Sequence, residues 1–204
     1  RSGYWYEAKQ FAEADGQVSK DIILWHEFRS GRGNPTDLKE FLQRNQDWPG
    51  LPYLKKRGEQ VFFESSQDDV LNWFDKYPPK SETAAIIYAD ALIEVGKKNK
   101  AELILQDKWI SEIMDPDLRT LYLKKHDMVL SELHDERAIE LLWRDAFSAL
   151  DELMPLLSED YKKLVTAVLA LRKYQKEGVN ILINRVPATL RDHPVLNFAR
   201  FKWR

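Results

Sequence analysis

Apolar positions along this chain recur with the period of a helix rather than that of a strand. "DLKEFLQRN" places Leu38, Phe41 and Leu42 at i, i+3 and i+4, one face of a helix. "DDVLNWFDKY" repeats the pattern with Val70, Trp73 and Phe74. Phe41 aligns with Trp73 and Leu42 with Phe74 at an offset of 32 residues, close to the roughly 34 of a two-helix repeat. Asp37 and Asp69 are read as acidic caps opening the two segments, and "DWP" and "YPP" as their stops.

The same period continues through the rest of the chain. Ser81 is placed to cap "ETAAIIYADALIEVG", whose Ala85, Tyr88, Ala89 and Leu92 form a stripe of small and large residues ending at Gly96. "KAELILQDKWI" starts a partner helix, and small residues in the stripe allow two helices to approach closely. Three further helical segments follow, with Asp117, Asp135 and Ser158 expected as caps. A strand is arguable only at "VNILINRV". The expected fold is therefore all-α, a superhelical, tetratricopeptide-like array of antiparallel helix pairs over residues 1–204.

"RNQDWPGLP" (residues 44–52) reads as a corner in that array. Asn45 and Gln46 end one helix, and Trp48, preceding Pro49, is pushed out of the α region. Pro52 opens the next helix, where its missing N–H does no harm. Trp48 is expected to plug the corner as a packed hydrophobe rather than to touch a ligand.

Composition narrows the function classes. The 204 residues carry 31 Lys+Arg against 33 Asp+Glu and contain no cysteine, which excludes disulfides, thiolate zinc sites and cysteine nucleophiles. No uncharged apolar run is long enough for a membrane span, and the first residues lack a signal-peptide pattern. The first residue is not Met, and the chain reads as a piece cut from a longer protein. Charge is uneven: residues 101–160 are strongly acidic and residues 161–204 strongly basic. Solvated faces of an array would explain this as well as separate partners would.

Four stretches in order resemble the α-superhelical domain of soluble lytic transglycosylases. They are "ILWHEFRSG…DLKEFLQRNQDWPGLPYLKKRGEQ", "VLNWFDKYPPKSETAAIIYADALIEVGKKNKA", "ERAIELLWRDAFSALDELMPLLSEDYKKL" and "DHPVLNFARFKWR". The family has an "NPDWP" corner where this chain has Gln46. It commonly has Thr/Ala-Gly where this chain has Ala84-Ala85, and Tyr-Glu-Arg where this chain has Phe198-Ala199-Arg200. The resemblance implies a bacterial periplasmic cell-wall protein whose parent cleaves the glycan strand of peptidoglycan between N-acetylmuramic acid and N-acetylglucosamine without water. It also implies that the acid/base glutamate lies in a lysozyme-like domain C-terminal to residue 204. "Glu64-Ser65" lacks the rest of that domain's motif and is read as chance.

No other constellation in the sequence carries chemistry. His26, His126, His134 and His193 lack metal-ligand spacing, "GRG" at 31–33 lacks the rest of a phosphate loop, and no cofactor is expected. Trp25, Trp73, Trp109 and Trp143 lie in apolar stripes and are expected to be core. The candidate contacts to glycan or to a partner are the basic residues Lys55, Lys56, Arg57, Arg200, Lys202 and Arg204. Binding through them would be weak and salt-sensitive, because the field of exposed charges decays over about 8 Å. Nucleic acid is not an expected partner at a pI near 6.2. The alternative function is a helical-repeat scaffold for a protein or peptide. The chain alone is expected not to cleave peptidoglycan.

Overall fold

The computed structural model describes residues 4–203, which form helices and connecting turns with no strand among them. The chain divides into two compact units, residues 1–104 and residues 105–204.

The first unit contains α1 (Trp5–Asp15), α2 (Gln17–Arg29), α3 (Pro35–Arg44), α4 (Leu51–Gly58), a 3-10 turn (Glu59–Phe62), α5 (Gln67–Lys76) and α6 (Glu82–Glu94). α1 packs on α2, α2 on α3 and α4, and α5 on α6. The repeated stripes face inward as expected: Leu38, Phe41 and Leu42 on α3, and Val70, Trp73 and Phe74 on α5, are all buried. Phe62 stacks on Trp73 with ring centroids 4.5 Å apart, and Phe74 meets Tyr88 of α6 at 5.5 Å. α4 comes so close to α3 that a Cβ on Gly58 would lie 2.8 Å from a methyl of Leu38.

The helices start earlier than expected. Asn34, not Asp37, is the N-cap of α3: its Oδ1 accepts from the Asp37 N–H at 2.8 Å while its Nδ2 donates to the Asp37 carboxylate at 2.8 Å. Ser66 does the same for α5, accepting from the Asp69 N–H at 3.2 Å and donating to its carboxylate at 2.9 Å. Both acids are third-position residues bonded to the cap through backbone N–H and carboxylate alike, so the repeat survives with its punctuation shifted by three residues. Ser81 caps α6 as expected, accepting from the Ala84 N–H at 3.2 Å. Gly96, at φ 79°, follows the end of α6, and the Lys97 N–H reaches back to the Leu92 carbonyl at 2.8 Å.

α7 (Lys98–Ser111) spans the division between the units. The second unit continues with α8 (Pro116–Leu130), α9 (His134–Trp143), α10 (Phe147–Leu153), α11 (Glu159–Arg172), α12 (Val179–Arg185) and α13 (Pro194–Trp203). α11 packs on α9, α12 and α13, and α9 also meets α10 and α13. The arguable strand "VNILINRV" is helical: Val179 and Ile183 are buried four residues apart on α12. Asp115 rather than Asp117 caps α8, with Pro116 as the first helical residue. Ser158 caps α11 as expected, whereas Asp135 lies inside the first turn of α9 and accepts from the Ser158 N–H at 3.0 Å.

A buried cation organises the second unit's core. Arg137 is 1% exposed, and its Nη1 donates to the carbonyls of Trp109 and of Glu112, the latter at 3.0 Å. Its guanidinium lies 4.3 Å from the centre of the Trp109 ring. Among the described residues no carboxylate pairs with it; the partial negative charge at the C-terminal end of α7 stands in for one. Burial, and then Arg119 and Arg144 nearby, lower its pKa to about 10.

Candidate functional site

Of the six basic residues singled out in the sequence, Lys55, Lys56 and Arg57 belong to the first unit and Arg200 and Lys202 to the second. Lys55, Lys56 and Arg57 are consecutive on α4, so about 100° of rotation divides each from the next. Lys55 Nζ sits 4.8 Å from the centre of the Tyr77 ring, Arg57 Nε donates to the Arg29 carbonyl at 3.3 Å, and Lys56 is exposed. They do not form one patch. Arg200 is half-buried and Lys202 exposed on α13, while Arg204 lies outside the described residues.

The corner that carries "RNQDWPG" is a structural joint. Buried Asp21 on α2 accepts from Gln17, Arg44 and Asn45, each at 3.0 Å, and these hydrogen bonds hold its carboxyl below the usual range against the cost of burial. Asn45 also donates to the Phe41 carbonyl at 3.0 Å. Trp48 packs on Phe41 with ring centroids 5.4 Å apart, the packing role expected of it. The Trp25 indole donates to the Pro49 carbonyl at 3.3 Å.

Glu59 is the buried carboxylate that most resembles an acid/base group. Burial pushes its pKa up, the condition a general acid needs. Its oxygens, however, accept from the Lys80 N–H at 2.5 Å, the Ser81 N–H at 2.9 Å and the Ser81 hydroxyl at 2.7 Å. Those bonds moor the "PPKS" loop and the start of α6, so the carboxylate is fully engaged in holding structure. Among the described residues no cluster of three His, Cys, Asp or Glu is placed to hold a metal ion, and no helix is long and apolar enough to cross a membrane.

Concavities lie in both units, one of them, of about 550 Å3, along the corner residues Gln43–Pro49 themselves. Also in the first unit, a groove of about 200 Å3 between α3 and α5 has Leu42, Trp73 and Tyr77 as its floor and Lys39, Gln43, Asn72 and Lys76 on its rim. None of these lining residues is acidic. Lys39 pairs with Asp69 at 2.7 Å, while Lys76 lies over the Tyr77 ring at 5.3 Å.

In the second unit, a cavity of about 210 Å3 is lined by Asp145, Phe147, Leu171, Arg172, Tyr174 and Lys202. Asp145 (φ 54°) and Tyr174 (φ 52°) are the non-glycine residues with left-handed backbone among those described, and both line this cavity. Each follows a helix end in the position glycine usually fills, closing α9 and α11 through N–H bonds to the Leu142 and Leu171 carbonyls. A side chain there costs on the order of 1 kcal/mol. Asp145 uses its side chain to bind buried Arg172 at 3.0 Å. Tyr174 is 63% exposed, with no partner for its hydroxyl among the described residues. Arg172 and Lys202 each lie over the Phe198 ring, at 5.0 and 4.9 Å from its centre, and Phe198 meets Trp143 at 5.4 Å.

Trp73 and Trp109 are buried as expected, but Trp143 is 41% exposed and Trp25 half-buried, so the four tryptophans are not all core. Lys202, a predicted contact residue, lines the second unit's cavity; Asp145, Arg172 and Tyr174 were missed. The available signal was negative: "WRDA" and "RKYQ" end helices without the glycine a helix end prefers. A scan against models of known protein families and searches of curated proteins and of solved structures found no match to this chain.

Proposed function

We propose that this chain is the non-catalytic, superhelical part of a periplasmic peptidoglycan lytic transglycosylase, contacting glycan strands while a lysozyme-like domain beyond residue 204 supplies the acid/base glutamate. The observation that carries the reading is where the resembling residues sit. The "NQDWP" corner is bound to α2 through Asn45 and Asp21, and the "PPKS" loop is bound to Glu59. Two of the resembling stretches thus contain connections between successive helices, positions an array must specify tightly. The cavity lined by Lys202, with tyrosine, carboxylate and guanidinium groups, supplies a surface compatible with a polyol.

The gene sequence following codon 204 is the decisive test: an "ES…GLMQ…AYN" continuation supports the proposal, and a stop codon or further helices sinks it. In a sedimentation assay with purified cell wall, the chain is expected to pellet without releasing anhydro-muropeptides. The groove between α3 and α5 favours a second reading, a scaffold for an acidic extended peptide. Lys76 complements a carboxylate, Lys39 being already paired with Asp69, and the carboxamides of Gln43 and Asn72 match the donor and acceptor of a peptide unit.

A further inference from the structure

We infer that the cavity of the second unit is a saccharide-binding platform on which Tyr174 stacks against the apolar face of a neutral amino sugar. Tyr174 occupies a left-handed position that glycine fills without strain, yet its ring is exposed and pairs with no other aromatic ring among the described residues. Strain held at an exposed, cavity-lining residue points to use of that side chain. Asp145 gives the reference case, because its strained position is explained by the ion pair to Arg172.

The surroundings fix the chemical class. Tyr174, Phe147 and the neighbouring Phe198–Trp143 pair supply flat apolar surface beside polar groups of both kinds. Asp145, 53% exposed at its side chain, keeps acceptor capacity, and Lys202 donates. The lining holds one carboxylate, Asp145, already paired with Arg172, and a second cation, Lys202; charged and polar groups of both kinds disfavour a purely apolar guest. Hydroxyl and acetamido groups, which both donate and accept, suit the mixture, and stacking on an aromatic face supplies the contact area. The inference deepens the cell-wall reading and rests on it for the source of the sugar; the chemistry rests on the cavity itself.

The test is titration of the chain with a β-1,4-linked N-acetylglucosamine hexasaccharide, followed by calorimetry and by NMR of the indole and aromatic signals. Binding is expected to persist at high salt. Tyr174→Gly should lower affinity about ten-fold or more while Tm holds or rises, because glycine relieves the left-handed strain. Tyr174→Phe should keep affinity close to that of the parent, since the ring and not the hydroxyl does the stacking. No binding at millimolar saccharide, or undiminished binding by Tyr174→Gly, overturns the inference. Loss of affinity on high salt, or equal competition by an RNA oligonucleotide, overturns it in favour of non-specific charge. Tyr174-dependent hexasaccharide binding by a chain that fails to pellet with cell wall would leave the platform standing and remove the transglycosylase reading. The reverse pattern would do the opposite.

Discussion

The two units solve the same problem, how to end helices and join them, with opposite chemistry. In the first, carboxylates do the joining: Asp21 gathers Arg44 and Asn45, Glu59 moors the N–H groups of Lys80 and Ser81, and α6 closes on Gly96. In the second, guanidinium groups do it: Arg137 binds the end of α7, Arg172 binds Asp145, and helices close on Asp145 and Tyr174 instead of glycine. The first unit places charge where donors satisfy it and strain is least. The second buries a cation against carbonyls and an indole face and accepts left-handed side chains, and the strain there falls on residues around its cavity.

The comparison is broken most directly by removing the central group of each unit. Arg137→Ala is expected to cost about 4 kcal/mol, from the vacated volume and the Trp109 and Glu112 carbonyls left unpaired. Hydrogen-exchange mass spectrometry should show protection falling in α9 and α11. Unchanged protection there would show that Arg137 is not the unit's anchor. Glu59→Ala should cost about 3 kcal/mol, because donors at Lys80 and Ser81 lose their acceptor, and urea denaturation should show it.

Acid sharpens the contrast. Burial lowers the pKa of His134 and of His193 in the second unit. A histidine whose folded pKa is depressed contributes stability that is present above the unfolded value of about 6.5 and is lost as pH falls through the folded pKa. Asp21, whose pKa is lowered, contributes stability in the first unit that is present above its ordinary value of 3.8 and lost only below it. Glu59 runs the other way: its raised pKa means stability grows as pH falls from the folded value towards 4.5. Between pH 6.5 and 4.5 the second unit should therefore weaken while the first holds. Exchange rates corrected for intrinsic pH dependence measure this, and simultaneous loss in both units would contradict it.

The smallest expected effect concerns the α3–α4 contact. Gly58→Ala gains helix propensity but drives a Cβ to 2.8 Å from buried Leu38, so a net loss of about 1–2 kcal/mol is expected. A rise in Tm would mean that Leu38 has room to move.

Helix existence, the inward face of α3 and α5, and the stops at Gly96 and around Pro49 were legible in the sequence. They are set by local spacing and backbone chemistry, which neighbouring residues carry with them. Cap positions were misplaced by two or three residues because Asn34, Ser66 and Asp115 compete with nearby acids that satisfy the same pattern. The short apolar run at 179–186 was ambiguous between strand and helix until packing on α11 resolved it. The basic run on α4 looked like a patch because adjacency in sequence hides the 100° turn between successive side chains. What only the tertiary structure decided is which distant groups meet: Asp21 with Asn45, Glu59 with Ser81, Arg137 with the end of α7, and Asp145 with Tyr174 across one cavity. Such meetings depend on how helices pack, and a periodic pattern specifies the buried face of each helix without naming the partner that covers it.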